Sequence, residues 1–157
     1  MSISDADFKL AMAHFASGVT IVTTEHAGKP YGMTVASFAS LSLHPPLVLV
    51  CVERSVKTHD AVIAAGHFGV SILAADQTAL SNRFASRVDD KFEGVAVELG
   101  ELGVPLIANA ITALECRLHS QLSGGDHTIF VGEVESLRTR GGAPLLYFRS
   151  GYHEIRG

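Results

Sequence analysis

Short runs of apolar and β-branched residues recur along this chain, and each run is followed within a few residues by a turn signal. Residues 19–24 suit a pleated surface, residues 27–30 read as a turn, and residues 31–36 return, which predicts a β-hairpin. Pro45 and Pro46 mark a loop before residues 47–52, whose continuous apolarity indicates burial on both faces. Strands this short and closely spaced favour an antiparallel sheet over repeated βαβ units.

Two or three helices are predicted around these strands. Ser4 or Asp5 can cap a helix whose apolar positions extend to about Phe15. A second short helix should end at Gly66, and a third should open at Asp76 and run to about residue 85. The helices are too few and too short to form a bundle, so they are expected at the periphery of the sheet.

The last third of the chain has the clearest alternation. Leu114, Cys116 and Leu118 alternate with Glu115 and Arg117, the period of a strand with one wet face. Turns are predicted at residues 123–126 and 141–142, with strands at 128–137 and 143–148. We therefore expect one domain over residues 1–157, mainly β with peripheral helices, built as a small and mostly antiparallel barrel.

Composition excludes several classes of partner. Apolar residues make up 47% of the 157 residues and charged residues 18%, which excludes a disordered chain and suggests a homodimer that buries further apolar surface. A net charge of -4 without a basic block argues against nucleic acid. No apolar stretch approaches the roughly 20 residues of a membrane span. The absence of a secretion signal and the two distant cysteines predict a cytoplasmic protein.

Several kinds of chemistry are also excluded or disfavoured. The eight histidines form no metal-binding spacing, so no metal site is expected. The cysteines fall within apolar strand patterns, and there is no GxSxG nucleophile motif. Neither a GxGxxG motif nor a P-loop is present, which excludes the common nucleotide-binding folds.

Three segments remain as candidate sites, each with a structural alternative. Residues 32–40 combine small side chains and hydroxyls that would let a flat ring approach the backbone, or that simply pack on a neighbouring strand. Ser55 and Thr58 flank Lys57 at a helix start, which suits a phosphate but also an ordinary N-cap. Around Phe84 and Phe92, basic side chains could meet a phosphate or an adenine edge, or lie at a solvated helix end.

The motifs together resemble the flavin reductase-like family with an FMN-binding split barrel. The resemblance is carried by GMTVASFASLS at residues 32–42, NRFA at 82–85, DKFEG at 90–94, GDH at 125–127 and SGYH at 150–153, and it covers nearly the whole chain in order. Ser150 stands where the family often has glycine. The resemblance is strongest to the small reductase components of two-component flavin-dependent monooxygenases.

The resemblance implies a set of cofactor-binding residues. Residues 34–37 with Ser40 and Leu41 would line the isoalloxazine, Ser55, Thr58 and His59 would hold the ribityl phosphate, and Lys91 and Phe92 would reach the distal flavin. His127 of the GDH motif and the nearby Tyr152 would meet the nicotinamide. The full set is Gly32, Met33, Thr34, Val35, Ala36, Ser37, Ser40, Leu41, Cys51, Ser55, Thr58, His59, Lys91, Phe92, His127 and Tyr152.

The function implied is NAD(P)H:flavin oxidoreduction. A homodimer would transfer a hydride from NADH or NADPH to FMN or FAD, and the reduced flavin would diffuse to a separate oxygenase component. Hydride transfer requires positioning rather than a side-chain acid or base, so no catalytic side chain is expected. The alternative is a flavin-binding carrier or sensing module of the same fold without efficient reductase activity.

Overall fold

The computed structural model describes residues 2–155. Its helices are α1 (Asp5–Met12), α2 (Lys57–Ala65) and α3 (Thr78–Ala85). Its strands, in chain order, are β1 (Ser17–Gly18), β2 (Thr20–His26), β3 (Lys29–Val35), β4 (Phe38–Ser42), β5 (Leu47–Glu53), β6 (His67–Ile72), β7 (Val97–Leu99), β8 (Pro105–Ile107), β9 (Thr112–Gly124), β10 (His127–Thr139), β11 (Leu146–Phe148) and β12 (Gly151–His153). The predicted mainly β fold with peripheral helices is confirmed.

The main sheet has seven antiparallel strands in the order β3-β2-β6-β9-β10-β5-β4. Strands β3 and β4 stand at its opposite edges, yet only Ala36 and Ser37 separate them in the sequence. The sheet must therefore curl until its two edges meet at this link. The result is an open barrel with a split between β3 and β4, accompanied by the small sheets β1-β11-β12 and β7-β8.

Two apolar clusters lie on the two faces of the sheet. Ile21 and Val22 are neighbours on β2 and point to opposite faces, because side chains alternate along a strand. Val22 belongs to a cluster with Val62 of α2, and Ile21 belongs to one with Phe84 of α3. All four side chains are fully buried, so α2 and α3 cover opposite faces of the sheet.

The predicted hairpin β2–β3 and the helix ends are largely as expected. Ser4 caps α1 by accepting from the Asp7 amide, although α1 ends before Phe15. Gly66 closes α2 with a φ of 73° in the left-handed region. The third helix begins at Thr78 rather than Asp76, because the Gln77 side chain accepts from the Ala74 amide and holds the preceding residues in a turn.

The prediction that Glu115 faces water is wrong. Its side chain is fully buried, and its carboxylate accepts from the amides of Leu102 and Val104 and from the Ser136 hydroxyl. The two amide bonds fasten the loop between β7 and β8 to β9, and the Ser136 bond joins β9 to β10. A buried carboxylate needs such donors because each one replaces a lost water.

The longest helix among residues 2–155 is α2, with nine residues. None of the described helices has the length and apolarity needed to cross a bilayer.

Candidate functional site

The link between β3 and β4 exposes its backbone at the split. Ala36 and Ser37 are exposed, and within the described ladders the pairing of β3 ends at Val35 while that of β4 begins at Phe38. Cys51 on β5 lies beside this link: its amide donates to the Ser37 carbonyl at 3.1 Å, and the Ser37 hydroxyl donates to the Cys51 carbonyl at 3.2 Å. The structure thus brings together Ser37 and Cys51, two residues of the predicted cofactor-binding set.

A polar cluster on α3 joins the end of β3 to β12. The Thr34 hydroxyl donates to the Ser81 carbonyl at 2.6 Å, and the Ser81 hydroxyl lies 2.7 Å from the Tyr152 hydroxyl. Tyr152 also donates to Asn82 at 3.0 Å. Two residues predicted for the site, Thr34 and Tyr152, therefore meet through Ser81, which the sequence analysis had not singled out.

Lys91 and Phe92, both of the predicted cofactor-binding set, lie against Gly32. The Lys91 ammonium donates to the Gly32 carbonyl at 3.1 Å and to the Phe84 carbonyl at 2.9 Å, and burial lowers the pKa of this ammonium. The rings of Phe84 and Phe92 meet edge to face with centroids 5.0 Å apart. Two carbonyls account for two of the three Lys91 protons, and the third can bond an anion that enters from solvent.

Arg83 holds this loop in place. Its guanidinium donates to the Lys91 carbonyl at 2.7 Å and to the Asp90 carbonyl at 2.8 Å. The basic side chain beside Phe84 therefore supports the loop backbone. This role differs from both alternatives that the sequence left open for that position, a ligand contact and a solvated helix end.

The turn between β5 and α2 departs from the predicted cap. Val56 occupies the N-cap position and has no side-chain acceptor, while the Ser55 hydroxyl donates to Glu53 at 2.9 Å. Thr58 and His59 lie in the first turn of α2 and are buried. Ser55 is not an N-cap, since the helix starts one residue too late for its hydroxyl to reach the first amides.

The β9–β10 turn carries the GDH residues at the end of the sheet. Gly125 takes a φ of 67°, and the His127 ring nitrogen Nδ1 lies 2.7 Å from an Asp126 carboxylate oxygen. A hydrogen bond from His127, followed by the charge of His127, lowers the pKa of the Asp126 carboxyl. The His127 side chain is 41% exposed, so its Nε2 edge is open to a ligand.

The remaining predicted residues divide by orientation. Val35 is buried and Met33 packs on the apolar cluster of Val22 and Val62, so both side chains belong to the core. Only their backbone groups can meet a ligand. Ser40 and Leu41 are exposed on β4. No hydrogen bond among residues 2–155 links Tyr152 to His127, although the sequence analysis placed both near one pocket.

Ser150, where the family often has glycine, takes a φ of 61°. This is the left-handed region that glycine enters without steric cost. The turn before Tyr152 keeps its left-handed conformation despite the side chain.

The arrangement suits the binding of a flat anionic ring system more than acid–base or nucleophilic chemistry. Edge strands offer unpaired N–H and C=O groups to a planar ligand, and Lys91 supplies a positive charge. Burial, followed by the nearby Glu115, raises the pKa of the Cys116 thiol to about 12, so this thiol is no nucleophile at neutral pH. Within the described part of the chain, no three acidic, histidine or cysteine side chains lie together as metal ligands.

Known proteins match this chain over nearly its whole length. Residues 12–156 match the family model described as flavin reductase like domain. The reductase component of 4-nitrophenol 4-monooxygenase/4-nitrocatechol 2-monooxygenase from Rhodococcus opacus is 44% identical over 150 residues, which cover 96% of this chain and 80% of that protein. FMN reductase (NADH) SmoA from Agrobacterium fabrum is 44% identical over 140 residues, which cover 89% of this chain and 80% of that protein.

A solved structure of a related protein also matches the fold of this chain. The NADH:FAD oxidoreductase SgcE6 from Streptomyces globisporus, solved in complex with NAD and FAD fragments, superimposes with a TM-score of 0.93 at 37% identity. The match covers 99% of this chain and 98% of that chain. The likeness thus extends over both faces of the sheet and the terminal segments.

Proposed function

Because this chain belongs to the flavin reductase-like family, we propose that it transfers a hydride from NADH or NADPH to FMN or FAD and supplies the reduced flavin to a separate monooxygenase. The resemblance identified from the sequence is confirmed, and so is the split barrel that it implied. The chain is an oxidoreductase. Several relatives are named as reductases or reductase components, and no observation favours the carrier or sensing alternative.

The observation that carries this proposal is the exposed link at the split, together with the Lys91 ammonium at Gly32 of the same edge strand. The backbone of residues 34–37 would line the ring, Lys91 would meet an anionic part of the flavin, and Thr58 with the first amides of α2 would hold the phosphate. Bound there, flavin supplies a ring that accepts a hydride at N5. The residues fit this group because they combine the exposed link at residues 36–37 with one ammonium and one helix start.

The chain's own residues act by positioning. Cys51 fixes the Ser37 backbone, and Thr34 ties β3 to α3, so the ring-lining edge is held from two sides. His127, fixed by Asp126, would bind the nicotinamide so that the two rings stack. Backbone N–H groups at the split would stabilise the negative charge that develops on the reduced ring.

We further propose that the protein acts as a homodimer in the cytoplasm. Among residues 2–155, α1 has no buried side chain, and three apolar side chains at one of its faces or just beyond its end are 53% to 81% exposed: Phe8, Met12 and Phe15. Such a face on a 16.6 kDa chain favours a second copy as its cover. Cys51 and Cys116 are both unpaired, which supports a reducing compartment.

The test is an oxidation assay with purified protein. NADH and NADPH are each combined with FMN, FAD and riboflavin while nicotinamide absorbance is followed. We expect fast oxidation for at least one pair. Slow oxidation with every pair would favour the carrier alternative.

A variant locates the nicotinamide site. His127→Ala should raise the KM for the preferred nicotinamide several-fold and leave the flavin Kd unchanged. His119→Ala removes an exposed histidine from the same hairpin and is the control. An unchanged KM in His127→Ala would remove His127 from the site.

A further inference from the structure

Arg54 follows β5 directly and contacts the β9–β10 turn at three points. Its amide donates to the Asp126 carbonyl at 3.1 Å. Its guanidinium donates through Nη2 to the Ser123 hydroxyl at 2.5 Å and through Nε to the Thr128 hydroxyl at 3.4 Å. One residue thus holds the turn before, within and after its tip, and His127 lies between two of these contacts.

The turn needs such a support because little else holds it. β6 pairs with β9 only as far as Arg117, so residues 118–124 have β10 as their single strand neighbour among the described strands. β10 pairs with β5 up to the match of His127 with Glu53, the last residue of β5. Arg54 therefore stands where the ladder ends and the free tip begins.

The Thr128 hydroxyl carries the connection on to α2. It also lies 2.8 Å from Nε2 of His59, whose Nδ1 lies 2.8 Å from the Asp60 carboxylate. Arginine can only donate, so the Thr128 oxygen accepts from Arg54 and has its own proton free for His59. His59 then accepts at Nε2 and donates from Nδ1 to Asp60, which gives every member of the chain a consistent role.

We propose that Arg54 is a positioning residue for hydride transfer, which holds the turn bearing His127 and joins it, through Thr128 and His59, to the first turn of α2. This inference rests on the proposed function, in which His127 meets the nicotinamide and α2 holds the flavin phosphate. The distance between the two cofactors is then set by one hydrogen-bonded chain of side chains. A displacement of about 1 Å at the reacting atoms is enough to cost roughly 100-fold in rate, so this support matters for catalysis.

The role differs from a contribution to global stability. Arg54 is exposed, as are residues 121–126 around its contacts. The contacts of Arg54 with this exposed tip contribute little to the free energy of unfolding. The effect of removing Arg54 should therefore appear in kinetics rather than in the unfolding midpoint.

The experiment compares Arg54→Ala, Arg54→Lys and Thr128→Val in the full chain. Arg54→Ala should raise the KM for NADH or NADPH roughly tenfold and lower kcat, with the flavin Kd changed less than about twofold. Arg54→Lys should give an intermediate KM, because its ammonium can restore one of the two side-chain bonds. Thr128→Val removes the shared hydroxyl at nearly constant volume and should not add its full effect in the double variant with Arg54→Ala.

Arg117→Ala is the matched control, since it removes an arginine and its 2.9 Å ion pair with Glu135 from the same hairpin far from the tip. The inference is overturned if Arg54→Ala keeps the wild-type KM while His127→Ala raises it, or if the unfolding midpoint falls in step with activity. Should Arg54→Ala fail to fold, Arg54→Lys and Thr128→Val decide by the same KM criterion. A wild-type protein that oxidises neither nicotinamide would instead refute the proposed function.

Discussion

At the scale of single residues, the contact of Asp126 with His127 at the β9–β10 turn changes the ionisation of the carboxyl group. The Asp126 carboxyl has a pKa below its ordinary value of 3.8, because His127 donates a hydrogen bond to the carboxylate and adds its charge, with a smaller effect of Arg54. In the range between the lowered and the ordinary pKa, the unfolded chain binds more protons than the folded one. The ionised pair therefore supports the turn above the ordinary carboxyl pKa, and this support is lost as the pH falls through the lowered value.

We expect an NMR titration of the Asp126 side chain to give a pKa below 3.8 in the wild type. In His127→Ala the pKa should move up towards 3.8, since the largest contribution is gone. Equal pKa values in the two proteins would mean that His127 does not bond to Asp126 in solution.

Single positions also mark the limit of prediction from sequence. The sequence assigned Ser37, Cys51, Lys91, Phe92 and His127 to a cofactor site through motif resemblance, and their roles there stay predictions; the contacts that hold them in place were not predicted. Glu115 was misassigned, since its donors come from a loop more than ten residues away that no local period describes. Arg54 was missed because its role arises only when the end of β5 meets the β9–β10 turn, and Ser81 because its role arises only when α3 meets β3 and β12.

At the scale of elements, β3 and α3 approach so closely that one glycine is needed between them. A Cβ on Gly32 would lie 2.8 Å from the Phe84 ring and 3.1 Å from the Phe92 ring, and the Phe84 ring is fully buried. Gly32→Ala should therefore lower the free energy of unfolding by about 1 to 3 kcal/mol, more than the gain from a stiffer unfolded chain. Urea unfolding at fixed protein concentration measures this.

Gly18 on β1 provides the control. A Cβ there would meet nothing within 4 Å among the described atoms, and its φ is not in the left-handed region. Gly18→Ala should change the free energy of unfolding by less than about 0.5 kcal/mol. Equal losses in both variants would show that the close approach of β3 to Phe84 does not limit this position.

Elements were easier to predict than their junctions. β2, β3 and β5 follow from periodicity, whereas the start of α2 depends on the Glu53–Ser55 contact and that of α3 on Gln77. The order of strands in the sheet could not be derived from local patterns, because pairing between β6 and β9 joins segments about 45 residues apart.

At the scale of the whole molecule, the exposed apolar face of α1 is the basis for predicting the oligomeric state. We expect wild-type protein at micromolar concentration to sediment at twice 16.6 kDa. The double variant Phe8→Asp with Phe15→Asp should sediment as a monomer, because each aspartate would place a charge in an apolar contact. Leu99→Asp, at a side chain 73% exposed on β7, is the control and should stay dimeric. A monomeric wild-type protein would contradict the proposed homodimer.

The covalent link at the split sets a dimension of the molecule. Three peptide steps from Val35 to Phe38 can span at most roughly 10 Å. At this end of the split, β3 and β4 therefore cannot lie further apart than that. This upper limit on the separation comes from bond lengths and not from side-chain packing, so substitutions in the core leave it unchanged. An insertion between Ala36 and Ser37 would raise this upper limit by about 3 Å per residue.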